Sequence, residues 1–226
     1  MQNQKRTALL VGATGLVGGH CLHFLLNDAH YHSVITLTRK EIPVKHSGLQ
    51  QHIVNFDNLE SFSPLVKADD IFCCLGTTIR KAGSQANFKK VDLEYPVNIA
   101  RIAVTNGAKQ FLLVTAMGAD KSSLIFYNRV KGQAEEAVKD LAYQAIHIFR
   151  PSLLLGERKE IRVGEKIGAA FFNVTAPFFI GPLRKYRAIE AKAVAGAMAA
   201  CAIRNGNGIF IYESDEIQKI FNQNCS

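Results

Sequence analysis

The stretch 7-TALLVGATGLVGG-19 runs from apolar residues straight into four glycines. Residues 7–11 read as a strand. The stretch that follows the glycines carries Val17, Cys21, Phe24 and Leu25 at i, i+4, i+7 and i+8, one face of a helix. Gly12, Gly15 and Gly18 therefore fall on a strand-to-helix turn with G-x-x-G-x-x-G spacing. Such a turn has to be tight, present backbone N–H groups to a diphosphate, and let the helix pack close to the strand. In that context the motif points to a dinucleotide site, with Gly12, Thr14, Gly15, Leu16, Val17 and Gly18 as its candidate contacts. A bare strand–helix turn without a ligand is the plainer alternative.

Further out, short β-branched runs alternate with amphipathic stretches. The expected strands are 7-TALLV-11, 33-SVITLT-38, 51-QHIVNF-56, 70-DIFCCL-75, 110-QFLLVT-115 and 144-QAIHIF-149. Helices are expected over 87–105, ending at Asn106-Gly107, and over 123–141. Apolar strands alternating with helices predict an α/β fold, a doubly wound parallel sheet covered on both faces. The chain is expected to be a single domain over 1–226. Residues 1–150 form the dinucleotide-binding core, and 151–226 a small C-terminal cap integrated with it on the substrate side. The tail holds the aromatic tract 167-IGAAFFNVTAPFFIG-181, an Ala-rich helix near 188–204, a strand 208-GIFIYE-213 and a last helical turn or two. Phe171, Phe172, Phe178 and Phe179 could wall an apolar pocket. Arg158, Arg162, Arg184, Lys185 and Arg187 could meet an anion, or merely form a solvated rim.

The second strand ends in 37-LTRKE-41. A site selective for NAD usually carries an acidic residue there for the ribose 2′-hydroxyl. Arg39, followed by Lys40, suits a 2′-phosphate instead, so NADP(H) is expected in preference to NAD(H). In 55-NFDN-58, Asp57 could reach the adenine amino group or cap the segment 59–66. In 73-CCLGTT-78, Gly76 lets the chain pass close to the cofactor, flanked by Leu75 and Thr77.

Tyr127 and Lys131, four residues apart, share one helix face. A phenol titrates near pH 10, and a neighbouring ammonium favours the phenolate, which suits Tyr127 for proton transfer. Three hydroxyls compete as its partner: Thr115 at the end of the fifth strand, or Ser122 and Ser123 just before Tyr127. The two serines are more natural helix N-caps, which favours Thr115.

The glycine spacing together with Tyr127 and Lys131 resembles the short-chain dehydrogenase/reductase superfamily. The segments 73-CCLGTTIRKAGS-84 and 117-MGADKSSLIFYNRVKG-132 are similar to the Tat-interacting-protein (oxidoreductase) branch of its atypical members. The resemblance spans residues 7 to about 165. It implies an NAD(P)-binding Rossmann fold and a Ser/Thr-Tyr-Lys group. In that scheme Tyr127 exchanges the proton, Lys131 holds the nicotinamide ribose, and the hydroxyl of Thr115 orients the carbonyl. The loop 150-RPSLLLG-156 implies a nicotinamide contact at Leu153. Where relatives carry a Ser pair, this chain has Thr115-Ala116. The implied activity is hydride transfer to or from a small carbonyl or hydroxyl substrate. The alternatives are an NADP(H)-sensing regulatory or protein-binding module, and an NAD-dependent epimerase or dehydratase, for which the tail is short.

Composition fits this class. Of 226 residues, 48% are apolar and 20% charged, an ordinary globular balance. The net charge of +8 comes from dispersed Lys and Arg, so nucleic acid is not expected as a partner and an anionic cofactor accounts for part of the excess. No apolar run is long enough for a membrane span, and no separate signal region precedes the strand. The five cysteines show neither a disulfide framework nor metal-ligand spacing. They read as free thiols in a reducing compartment, taken as cytoplasmic. Dimers and monomers both occur in the superfamily, so the oligomeric state stays open, as does a protein partner.

Overall fold

Successive residues of β1 (Arg6–Val11) point to opposite faces. Ala8 and Leu10 join one core cluster, and Leu9 and Val11 the other. This double burial makes β1 the centre of the molecule. A computed structural model gives the fold for residues 5–156, 185–204 and 206–224. The other strands of the main sheet are β2 (Tyr31–Thr38), β3 (Leu49–Ile53), β4 (Asp70–Cys73), β5 (Gln110–Val114), β6 (Ala145–Arg150) and β9 (Gly208–Glu213). All are parallel, in the order β3-β2-β1-β4-β5-β6-β9. The chain runs outward from β1 to β3 and then restarts beside β1 at β4. The β1/β4 boundary is therefore the switch point where sheets of this kind bind ligands. A two-stranded pair, β7 (Leu154–Leu155) with β8 (Ile189–Glu190), lies apart from the main sheet.

One face is covered by α1 (Leu16–Leu26), α6 (Ala191–Ala202) and α7 (Ser214–Asn224). The other carries α4 (Tyr95–Thr105), α5 (Phe126–Lys139) and the 3₁₀ segment Phe56–Leu65. The doubly wound α/β arrangement is the one the alternating sequence predicts.

Several local expectations are corrected. The helix expected over 87–105 is built in three pieces: α3 (Gln85–Lys89), a π-helical turn over Lys90–Glu94, and α4. It is preceded by the short α2 (Ile79–Ala82). Asp57 does not cap 59–66. Asn55 takes that role, its side chain accepting the Asp57 N–H at 3.0 Å. Neither Ser122 nor Ser123 caps α5. The Ser122 hydroxyl donates to Asp120 at 2.6 Å, and Ser123 accepts from the Ile125 N–H before the helix begins.

In the tail the expected Ala-rich helix and the strand over 208–213 are both present and integrated with the core: α6 packs on α1, β9 extends the sheet beside β6, and the expected last turn or two is a full helix, α7, of 11 residues. Ala-rich α6 is buried along almost its whole length, its many small side chains letting it pack closely on α1, with Val194 and Met198 filling the core. The remaining candidates for a cap (Arg158, Arg162, Phe171, Phe172, Phe178, Phe179 and Arg184) lie outside the described residues, as does Cys225.

At the amino ends of the strands, Asp70 is fully buried. It accepts from Tyr31 Oη at 2.7 Å and Gln110 Nε2 at 3.0 Å, and pairs with Arg6 at 3.2 Å. Burial pushes its carboxyl up to about 6, against the pull of Arg6 and the Tyr31 hydrogen bond. The folded chain thus binds a proton at pH 5 that the unfolded chain has released. This contribution to stability is complete below about pH 4 and is lost as pH rises through 6. Chemical denaturation of the protein and of Asp70→Asn across pH 4 to 7 should show the difference between them changing by roughly 2–3 kcal/mol. The wild type loses ground as pH rises.

Candidate functional site

The strand-to-helix turn is fixed by backbone contacts. Gly12 has φ +84°, and a Cβ there would lie 2.5 Å from the Cys74 carbonyl oxygen. A Cβ on Gly18 would lie 2.1 Å from the Gly12 oxygen. Gly15, the N-cap of α1, donates its N–H to the Gly12 carbonyl at 2.9 Å and offers no side chain to the helix end. The first-turn N–H groups of α1 are therefore left for an anion at the positive end of the helix.

That helix end opens on a cleft of about 860 Å³, a size suited to a cofactor. Thr14, Gly15, Leu16 and Val17 line its floor, and Leu75, Gly76 and Thr77 one wall. Thr115, Tyr127, Lys131 and Leu153 stand at the far end. Ala116 also lines the cleft, while Ser122 and Ser123 do not. Gly12 and Gly18 shape the turn from behind. Arg39 and Lys40 are exposed just after β2, outside the cleft lining. Asp57 is exposed and already engaged: Oδ1 accepts from Tyr95 Oη at 2.8 Å and Lys90 Nζ at 3.1 Å. Those two hydrogen bonds, the Tyr95 bond first, hold its carboxyl below the usual range.

α5 carries the chemical end. Tyr127, Lys131 and Glu135 recur every four residues and face inward. Tyr127 packs against Phe88, with ring centroids 5.5 Å apart. Lys131 is 4% exposed, and its ammonium lies 2.7 Å from Oδ1 of Asp92, which is 2% exposed. Burial pulls the Lys131 pKa down, but the charges of Asp92 and Tyr127 outweigh it and the net shift is upward. The other Asp92 oxygen accepts the Thr77 N–H at 2.9 Å. Sequence reasoning missed Asp92. The signal was present, because Phe88, Asp92, Pro96 and Ile99 lie on one buried helical face and only Asp92 is charged.

Thr115 is buried, and its hydroxyl donates to Glu135 Oε1 at 2.6 Å. Arg150 grips the same carboxylate through Nε at 3.0 Å and through Nη2. The single hydroxyl proton of Thr115 is thus directed at a carboxylate paired with Arg150, with the Phe149 carbonyl a more distant acceptor at 3.4 Å.

A glycine turn at the switch point, an uncapped helix N-terminus and a cleft running to a Tyr–Lys pair define a dinucleotide-binding protein of the Rossmann type. The NAD(P)H-binding family model matches residues 12–167. The chain belongs to that family, among the atypical short-chain dehydrogenases/reductases. It is 35% identical to rat Protein HTATIP2 over 174 residues, covering 75% of this chain and 72% of that protein. It is 31% identical to Candida albicans Protein FMP52, mitochondrial, covering 96% and 98% of the two chains. Among solved structures, human epimerase family protein SDR39U1 with NADPH superposes with a TM-score of 0.61 at 20% identity, over 92% of this chain and 74% of that one. MoeE5 in complex with UDP-glucose and NAD superposes with a TM-score of 0.68 at 12% identity, over 96% and 81%. The expected cytoplasmic location is overturned, because the fungal relatives are named mitochondrial proteins. Free thiols signal a reducing compartment without saying which one. No helix among the described residues is long and apolar enough to cross a membrane.

Gly132 is another position sequence reasoning passed over. A Cβ there would lie 2.2 Å from backbone atoms of Asp120 and Lys121. Helix propensity favours alanine at this position by about 1 kcal/mol, whereas overpacking against immovable backbone costs about 1–3 kcal/mol or more. Gly132→Ala should therefore lower stability in denaturant titrations. Because Lys131 is adjacent, it should also weaken dinucleotide binding.

Proposed function

We propose that the protein is a single-domain, NADP(H)-dependent oxidoreductase acting on a small carbonyl or hydroxyl substrate. The observation that carries this reading is the convergence of Tyr127 and Lys131 with the uncapped glycine turn on one cleft. A bound nicotinamide would supply or accept the hydride. Tyr127 gives its proton to the substrate oxygen in reduction and takes one in oxidation. The Lys131 ammonium meets the ribose. Leu16, Val17 and Gly18 offer backbone to the diphosphate, and Leu75 to Thr77 and Leu153 flank the rings.

Arg39 and Lys40 are proposed to take the 2′-phosphate. Arg39 and Lys40 follow β2 directly, the acidic Glu41 comes one residue too late to take the ribose hydroxyl, and Asp57 is held by Tyr95 and Lys90. NADPH should bind about tenfold more tightly than NADH, and Arg39→Ser should remove most of that margin. Calorimetry with both cofactors measures it, and tighter NADH binding would refute the preference.

Thr115 is the proposed hydroxyl partner, but to reach a substrate its proton must leave Glu135. Giving up such a bond costs about 1.5–3 kcal/mol, which limits its contribution. In a screen of NADPH oxidation with aldehydes, ketones and quinones, Tyr127→Phe should lower kcat about 10²–10⁴-fold. Thr115→Val should lower it by less than about tenfold. The committed proton of Thr115 also favours a second reading, a dinucleotide-sensing module without turnover. NADPH binding with no substrate consumed across the screen would select that reading.

A further inference from the structure

Asp92 and Lys131 form an ion pair at 2.7 Å in which neither side chain is more than 5% exposed. Such a pair is a poor choice for stability alone, since apolar residues of similar volume serve as well or better. Its setting is unusual as well. Asp92 sits in the π-helical turn Lys90–Glu94, a widening of the helix that recurs at functional sites. Its second oxygen fixes the Thr77 N–H of the cleft loop. A Cβ on Gly76 would lie 3.4 Å from Asp92 Oδ1 and 3.6 Å from Lys131 Nζ, so the pair lies directly against the cleft loop. The other Lys of the cleft lining, Lys81, is exposed at the rim.

We propose that Asp92 is a positioning residue for the chemical end of the cleft: it holds the Lys131 ammonium in place and cancels its charge, so the pocket accepts the cationic ring of an oxidised nicotinamide as well as the neutral reduced ring. This rests on the oxidoreductase reading above, in which Lys131 meets the nicotinamide ribose. An uncompensated ammonium would repel the oxidised ring and leave the reduced ring almost untouched. Asp92 therefore sets the ratio of the two affinities, a quantity that a purely structural brace would not move.

The test is a set of dissociation constants for NADP⁺ and NADPH, measured by calorimetry on the wild type, Asp92→Asn, Lys131→Met and the double variant. Asp92→Asn should weaken NADP⁺ relative to NADPH on the order of tenfold, the size of a unit-charge interaction over several ångströms at an effective dielectric of about 20. Lys131→Met should move the ratio the other way. The double variant, with both charges gone, should return to within about threefold of the wild-type ratio. An Asp92→Asn ratio equal to that of the wild type would overturn the proposal. If Asp92→Asn does not fold, equal ratios in Lys131→Met and the double variant would overturn it. A wild type that binds neither dinucleotide sinks the oxidoreductase reading and this proposal together. Binding and Tyr127-dependent turnover with unmoved ratios sink the role of Asp92 alone.

Discussion

Between Gly12, Gly18 and the Cys74 carbonyl there is no room for a methyl group. The backbone of β1 turns into α1 through a left-handed glycine, passes against the chain leaving β4, and receives the first turn of α1 on top of it. This contact joins the two halves of the sheet at the point where the strand order reverses. It also aims the free N–H groups of α1 into the cleft. The fold and its phosphate-binding end thus follow from one steric constraint.

The chemical end is built at greater cost. α5 turns Tyr127, Lys131 and Glu135 inward, so two charged residues lie in a region where isolated charges are expensive. Each has a dedicated partner, Asp92 for Lys131 and Arg150 for Glu135. The partners come from a π-helical turn and from β6, far apart in the chain. The Thr115 hydroxyl is drawn into the second pair. A site that looks in sequence like three independent groups is in the fold two ion pairs with a phenol beside them.

The same economy explains the tail. α6 is rich in alanine, and that lets it lie against α1 and help cover the apolar face of the sheet. Its last carbonyl, that of Ala202, accepts from Arg6 and Gln110, tying the helix to the Asp70 cluster beneath the sheet.

The sequence by itself determined whatever local sterics and periodicity control. The parallel strands, the helices on both faces, the glycine turn and the pairing of Tyr127 with Lys131 were all legible, because each depends on neighbours within a few residues. The end of α4 was legible for the same reason: Gly107, at φ +92°, stops it as the Asn106-Gly107 pair predicts. Tertiary structure alone decided the long-range partners. Asp92 reaches Lys131 from a π-helical turn on another element, and Thr115, just past the end of β5, gives its proton to Glu135 of α5. Asp57 was taken up by Tyr95 and Lys90, and residues 208–213 became a sheet edge by pairing with β6. For Asp92 and Thr115 the deciding term is the desolvation of a buried polar group, and no local pattern records which distant group relieves it.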